Sequence, residues 1–277
     1  MIDRSFELDG DGRKGVLLIH GLTGAPSEMR PVARRLHRAG FAVSAPQIAG
    51  HGENESALLK TTWRDWLDSI RVAYERLARG VDEVYVAGVC AGGALGLALC
   101  AEVPEISGAA VYSMTFEYDG WNMPRFAVAA PMIQLVANLP LVRRLSWAET
   151  YPYGLKDLRL RELASRAPDT LIEGSIDRLP LGALYEMYRL ARHVERVGAE
   201  IRTPTLIVHA REDDMAHLRN AHRLQGALAG PTRLEVLEDS YHMVHVDKER
   251  SRVGDMTAAF FGVPARAEIP AEHRVDA

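Results

Sequence analysis

A thiol, a carboxylate and an imidazole in this chain form the set that nucleophilic acyl transfer requires. Cys90 stands in "VAGVCAGGALGLAL" (86–99), Asp213 in "VHAREDD" and His242 in "LEDSYHMVH". A thiolate attacks an acyl carbon, an imidazole carries the proton, and a carboxylate orients the imidazole. Asp214 and His245 compete with Asp213 and His242 for the roles of acid and base. A free cysteine is also among the most buried residue types, so Cys90 alone reads equally well as a packed thiol. Its surroundings have to decide.

A strand over "VDEVYVAG" (81–88) runs through Gly-x-Cys-x-Gly-Gly directly into a helix, "AGGALGLALCAEV". So sharp a turn needs small residues where helix and strand meet, and Gly88 and Gly92 supply that room. The turn lifts the central side chain above the carboxyl ends of the strands, at a helix N-terminus whose dipole favours thiolate over thiol. Asp213 follows a strand at 203–210 and His242 follows one at 232–239. Nucleophile, acid and base thus come in that order along the chain, at one edge of one sheet.

Further short apolar runs at 14–20, 41–46 and 107–113 read as strands. Helical spacing marks 25–40, 61–80, 217–230 and 248–262; the second places Trp63, Trp66, Leu67, Ile70, Ala73, Tyr74 and Leu77 on one face. Strand and helix alternate, which predicts an α/β fold with a mostly parallel, doubly wound sheet. Residues 114–200 break the alternation and read as a helical cap or lid between two parts of the core, 1–113 and 201–277; the residues from Pro264 on read as a frayed tail. Phe116, Tyr118, Trp121, Phe126, Met132, Ile133 and Leu135 give this insertion an apolar surface that lines an acyl tunnel or docks the cap. Trp121, Phe126 and Met132 are the substrate-binding candidates. Arg125, Arg143 and Arg144 either meet a carboxylate or a carrier's phosphate or are ordinary surface charges.

At 277 residues, the chain is long enough to bury a sizeable core without staples. A net charge of −4 with scattered Lys and Arg disfavours a nucleic-acid partner. Two cysteines make no disulfide framework and "MIDRSFELDGDGRKG" holds no secretory apolar core, which predicts a cytoplasmic protein. The longest apolar stretch, 123–142, is broken by Pro124, Arg125, Pro131, Asn138 and Pro140 and makes a poor membrane span. No metal-ligand spacing and no phosphate-binding loop occur, so no metal or cofactor is expected.

Four blocks, "LLIHGLTGAPSEMRPVARRLHRAGFAVSAPQIAGHG", "VYVAGVCAGG", "PTLIVHAREDD" and "DSYHMVHVD", closely resemble α/β-hydrolases of the carboxylesterase and monoacylglycerol-lipase type. The resemblance covers 14–113 and 201–262 and implies the α/β-hydrolase fold. It selects Asp213 over Asp214, which is then a solvated neighbour, and His242 over His245. It also implies an oxyanion hole formed by the backbone N–H groups of Leu22, after "HG", and Ala91, after the nucleophile. His20 is then a structural turn residue, His51 a loop residue at the cleft rim, and Cys100 a packed core thiol.

That family carries serine at the elbow, where this chain has Cys90. The elbow is locally similar to dienelactone hydrolases and polyhydroxyalkanoate synthases, which carry cysteine there. The function expected is acyl transfer through a thioester on Cys90, as an ester or thioester hydrolase or an acyltransferase. Its partner would be a small-molecule acyl ester or thioester, free or carrier-bound. Two alternatives remain open on the sequence: an inactive hydrolase-fold binding protein, and a serine esterase with an engineered Ser-to-Cys change.

Overall fold

A computed structural model describes residues 3–123, 139, 141–148, 150–166 and 172–262. Seven strands form one sheet: β1 (Phe6–Leu8), β2 (Lys14–Ile19), β3 (Ala42–Ala45), β4 (Glu83–Val89), β5 (Gly108–Tyr112), β8 (Thr205–Ala210) and β9 (Thr232–Leu237). Their order is β1-β3-β2-β4-β5-β8-β9, with β1 antiparallel to β3 and every other pair parallel. The continuous apolar runs of β2, β4, β5 and β8 are buried almost throughout, as strands covered on both faces must be. β1 has no counterpart in the sequence reading, because a three-residue edge strand carries no usable periodicity.

The sheet is covered by helices α1 (Arg30–Arg38), α2 (Glu55–Leu58), α3 (Trp63–Ala78), α4 (Ala91–Glu102), α5 (Leu158–Arg166), α6 (Leu181–Val197), α7 (Arg219–Ala227) and α8 (Arg250–Gly262). α3 begins on a box in which the Thr62 N–H donates to Asp65 Oδ2 at 2.8 Å, and it buries Trp63, Trp66, Leu67 and Ile70. α4 is apolar all round and buried from Ala91 to Cys100, as befits a helix enclosed on every side. It packs on β4 and β5 and is overlaid by α3 and α6.

The insertion departs from the expected all-helical cap. β6 (Ser146–Ala148) and β7 (Arg178–Pro180) pair there as an antiparallel ribbon. α6 lies against α4 and contributes Met187, Leu190, Ala191 and Val194 to the main core. Its amphipathic pattern is the same whether it faces a cap or the sheet layer, so periodicity alone could not place it. Among the described residues, no helix is long and apolar enough to cross a membrane. The residues from Pro264 on lie outside the described residues.

A Cβ on Gly92 would sit 2.2 Å from the Ile19 carbonyl oxygen and 2.4 Å from that of His20, both rigid backbone. One on Gly226, inside α7, would meet nothing within 4 Å. Gly92→Ala is therefore expected to destabilise the fold by about 1–3 kcal/mol or more, the usual cost of overpacking. Gly226→Ala should stabilise it by about 0.5–1 kcal/mol by restricting the unfolded chain. Urea midpoints of both variants check the pair; equal shifts would contradict it.

Candidate active site

Cys90 is the N-cap of α4, with φ 51° and ψ −112°, a left-handed conformation that a residue with a Cβ adopts only under constraint. The constraint comes from both sides. The Cys90 N–H donates to Tyr112 O on β5 at 2.9 Å, and Gly88 and Gly92 bring strand and helix so close that a Cβ on Gly88 would lie 2.4 Å from the Gly92 carbonyl carbon. The sulfur emerges at the edge of a cavity of about 780 Å³ bordered also by Leu22, Tyr118, Met215 and His242.

The turn after β8 holds Asp213 and the loop after β9 holds His242, 2.9 Å from Asp213 Oδ2 to His242 Nδ1. Asp213 Oδ1 accepts the N–H groups of Met215 at 2.9 Å and Ala216 at 2.8 Å, and His209 Nε2 lies 3.4 Å from Oδ2. Burial raises the Asp213 pKa, but the two imidazoles and these donors outweigh it and hold the carboxyl below its ordinary 3.8. Burial likewise opposes charge on His242; the Asp213 carboxylate and the Cys90 sulfur overcome it and lift the imidazole well above 6.5.

At the other buried histidines burial prevails, even at His209, which lies 3.4 Å from Asp213 and is still lowered. His20 is pushed down to about 3, His51 to about 4 and His245 to about 3. The direction of the shift thus differs between the two base candidates: burial favours the neutral imidazole at His245, and Asp213 favours the charged one at His242. His20 Nδ1 lies 2.9 Å from Gly21 O, and Nε2 accepts the Ile48 N–H at 3.2 Å, a structural turn as expected.

Three expectations are corrected. Asp214 is fully buried instead of solvated: its carboxylate accepts the Gly154 N–H at 3.1 Å and the His242 N–H at 3.3 Å, so it is a backbone clamp. His51 is 1% exposed between His20 and Trp66 and does not border the cavity. Trp121 also lies away from the cavity, half exposed, with its indole N–H donating to Glu212 O at 3.1 Å and its ring edge-on to Tyr241. Phe126 and Met132 lie outside the described residues, as does Arg125. Arg143 donates to Leu59 O at 3.3 Å, and neither it nor Arg144 borders the cavity. The N–H groups of Leu22 and Ala91 donate to no acceptor among the described residues; both flank the Cys90 turn.

A family model described as "Serine aminopeptidase, S33" matches residues 10–249. The chain belongs to that family. This S33 member is 28% identical over 252 residues to a thermostable monoacylglycerol lipase from Bacillus sp. (strain H-257), with 91% of each chain covered. It is 27% identical over 246 residues to a carboxylesterase from Bacillus subtilis (strain 168), covering 87% of this chain and 89% of that one. Its backbone superposes with a TM-score of 0.78 on a metagenome-derived lipolytic enzyme, at 23% identity, over 93% of this chain and 96% of the other. The α/β-hydrolase fold and the likeness to carboxylesterases and monoacylglycerol lipases are therefore as the sequence blocks implied.

Several groups that hold the S33 site together escaped the sequence. Ser113, at the end of β5, donates its hydroxyl to His242 O at 2.6 Å. His209 flanks Asp213, and buried Glu28 accepts the Gly21 N–H at 2.6 Å beside Leu22. Each reads as an ordinary strand or helix residue in one dimension; only "SEM" at 27–29, a Glu opening an apolar helix face, hinted at an interior carboxylate.

The shifts set a pH window. His242, raised, contributes stability fully below its ordinary 6.5 and loses it as pH rises through the raised value. Asp213, lowered, contributes above its ordinary 3.8 and loses that as pH falls through the lowered value. In Asp213→Asn only the Cys90 sulfur still opposes burial, so the His242 ring nitrogens should titrate at lower pH by ¹⁵N NMR than in the unsubstituted protein. An unmoved titration would mean that Asp213 does not hold the proton there.

Proposed function

We propose that the protein is a carboxylic-ester hydrolase that carries the acyl group on Cys90 as a thioester, with His242 as general base and acid and Asp213 as its orienting carboxylate. The observation that carries the reading is the sulfur at the strand-helix turn sharing one cavity with the His242 imidazole, whose Nδ1 lies 2.9 Å from the buried Asp213 carboxylate. The two Bacillus relatives, a monoacylglycerol lipase and a carboxylesterase, support an ester as the substrate class. The cavity is bordered by Leu22, Met123, Ile176, Leu179 and Met215, side chains suited to an apolar acyl chain.

The chemistry balances in two halves. The Cys90 thiolate attacks the acyl carbon, the C–S bond forms, and the carbonyl pair moves onto oxygen opposite the N–H groups of Leu22 and Ala91. As the pair returns, the C–O bond of the ester breaks and the His242 imidazolium gives its proton to the departing alkoxide. Water then adds to the thioester while His242 takes its proton. The C–S bond breaks, the acid leaves, and thiolate and imidazolium are restored. Thioesters also accept attack by alcohols, amines and thiols, so the same intermediate serves transfer to those acceptors. A thioester donor, free or carrier-bound, enters by the same route.

Incubation with p-nitrophenyl esters of increasing chain length, quenched in acid and read by mass spectrometry, should show one acyl adduct on the Cys90 peptide, and none in Cys90→Ala. His242→Ala should lower turnover by about 10³-fold to 10⁴-fold, the range for losing a member of a triad. Turnover without any adduct on Cys90, or full activity in Cys90→Ala, would overturn the assignment.

A further inference from the structure

Tyr118 was read as one of the apolar residues of the insertion, but its hydroxyl points at chemistry. Tyr118 Oη lies 3.8 Å from Cys90 Sγ, and both border the cavity. Among the described residues, Tyr118 is the side chain outside the triad that brings a hydroxyl to the sulfur. The ring is 8% exposed and stands edge-on to Tyr188 at 6.3 Å, on the α6 helix that packs against the elbow helix α4.

The backbone around Tyr118 is clamped to the turn that carries the acid. Asn220 Oδ1 accepts the N–H groups of Phe116 and Glu117, each at 2.9 Å. Asp119 Oδ1 accepts the His217 N–H at 2.7 Å, and the Gly120 N–H donates to Met215 O at 2.9 Å. Four bonds across five residues fix where the phenol stands relative to both Cys90 and Asp213. A fixed hydroxyl beside a sulfur has one strong use, since a donor to a charged acceptor forms a bond about twice as strong as one to a neutral acceptor.

We propose that Tyr118 is a further catalytic residue, whose hydroxyl donates to the Cys90 sulfur and stabilises its thiolate form. The proposal rests on the reading of Cys90 as the nucleophile. It suits a cysteine specifically: a donor on a serine oxygen would draw electron density from a neutral nucleophile, whereas on a cysteine it sets the fraction present as thiolate. Acylation discharges the sulfur, which frees the phenol at the moment when the leaving or attacking oxygen needs a partner.

A thiolate stabilised by a donor is more abundant but less nucleophilic, with a Brønsted slope of about 0.4–0.5 in thiol–disulfide exchange. The two effects act in opposite directions along the pH axis, which yields a distinctive test. Reaction with 4,4′-dithiodipyridine is followed against pH in the full chain, in Tyr118→Phe and in Cys90→Ala. Cys100 is buried and its thiol is pushed up to about 12, so it adds little.

For the loss of one such donor, the midpoint of the Tyr118→Phe profile should rise by about one pH unit, a tenfold change in thiolate. Its high-pH plateau should rise about threefold and its low-pH rate fall about threefold, so that the two profiles cross. Thiolate ultraviolet absorbance should show the same displaced midpoint. A fast phase that survives in Cys90→Ala would overturn the nucleophile assignment itself. A Cys90-dependent fast phase with superimposed or uniformly scaled Tyr118→Phe and full-chain profiles would overturn only the role of Tyr118.

Discussion

The structure depends on one backbone turn, the left-handed conformation at Cys90 between β4 and α4. Such a conformation in a residue with a Cβ costs on the order of 1–3 kcal/mol and persists only where the surroundings determine it. Here the surroundings are two close backbone approaches, β4 against α4 at Gly88 and α4 against β2 at Gly92, positions where any Cβ would collide with main-chain atoms. Burial of α4 on all sides offsets the strain. Because β5, β8 and β9 run parallel to β4, their carboxyl ends open at the same edge of the sheet as the turn. The loops bearing Ser113, Asp213 and His242 therefore have no other edge at which to meet it.

The second constraint is a division of labour among buried carboxylates. Asp213 faces two imidazoles and two N–H groups. Asp214 accepts the N–H groups of Gly154 and His242, and Asp247 those of Lys156 at 2.7 Å, Asp157 at 2.9 Å and Tyr241 at 2.8 Å. Both thereby tie residues 154–157 of the insertion to the histidine loop. Carboxylates make strong acceptors for N–H groups, so this segment and the loop form one rigid unit. Part of the insertion is thus scaffold for His242 as well as cover for the cavity. Burial and the Asp213 charge nevertheless raise the Asp214 carboxyl above its ordinary 3.8.

The parts legible in sequence were those governed by local pattern. The sequence pattern located all six parallel strands and glycines located the elbow, because a Cβ at 88 or 92 would collide with main-chain atoms. The ends of β8 and β9 brought the acid and histidine candidates near it, and the resemblance to the hydrolase blocks selected Asp213 and His242 among them. Illegible were the properties that depend on what lies across space. Asp214 looked solvated because its neighbour Glu212 and the rest of "REDD" are polar, yet two N–H groups from distant segments enclose it. Trp121 looked like pocket lining because it is aromatic in an apolar insertion. Its indole N–H instead found Glu212 O at the surface, and a donor that must be satisfied turns a ring as firmly as burial does. Tyr118 shows the converse, since an aromatic counted for its ring carries its significance in its hydroxyl.

The remaining step concerns charge. Five buried histidines surround or support the site, and burial lowers the pKa of His20, His51, His209 and His245. Positive charge is confined to His242, where Asp213 compensates it. On the reading proposed for Cys90, the attacking form is a thiolate beside the His242 imidazolium. Attack on an ester then moves a negative charge from sulfur to the carbonyl oxygen instead of separating new charges, as a neutral hydroxyl nucleophile would have to do in the same low-dielectric surroundings. On that reading the receiving end is the pair of N–H groups at Leu22, in the loop after β2, and Ala91, in the turn that presents the sulfur. A site so arranged needs little reorganisation during acylation. Its demand falls on the second half, where the thioester must be attacked by an oxygen that His242 deprotonates, and the imidazole can do that only because it gave up its proton to the leaving alkoxide.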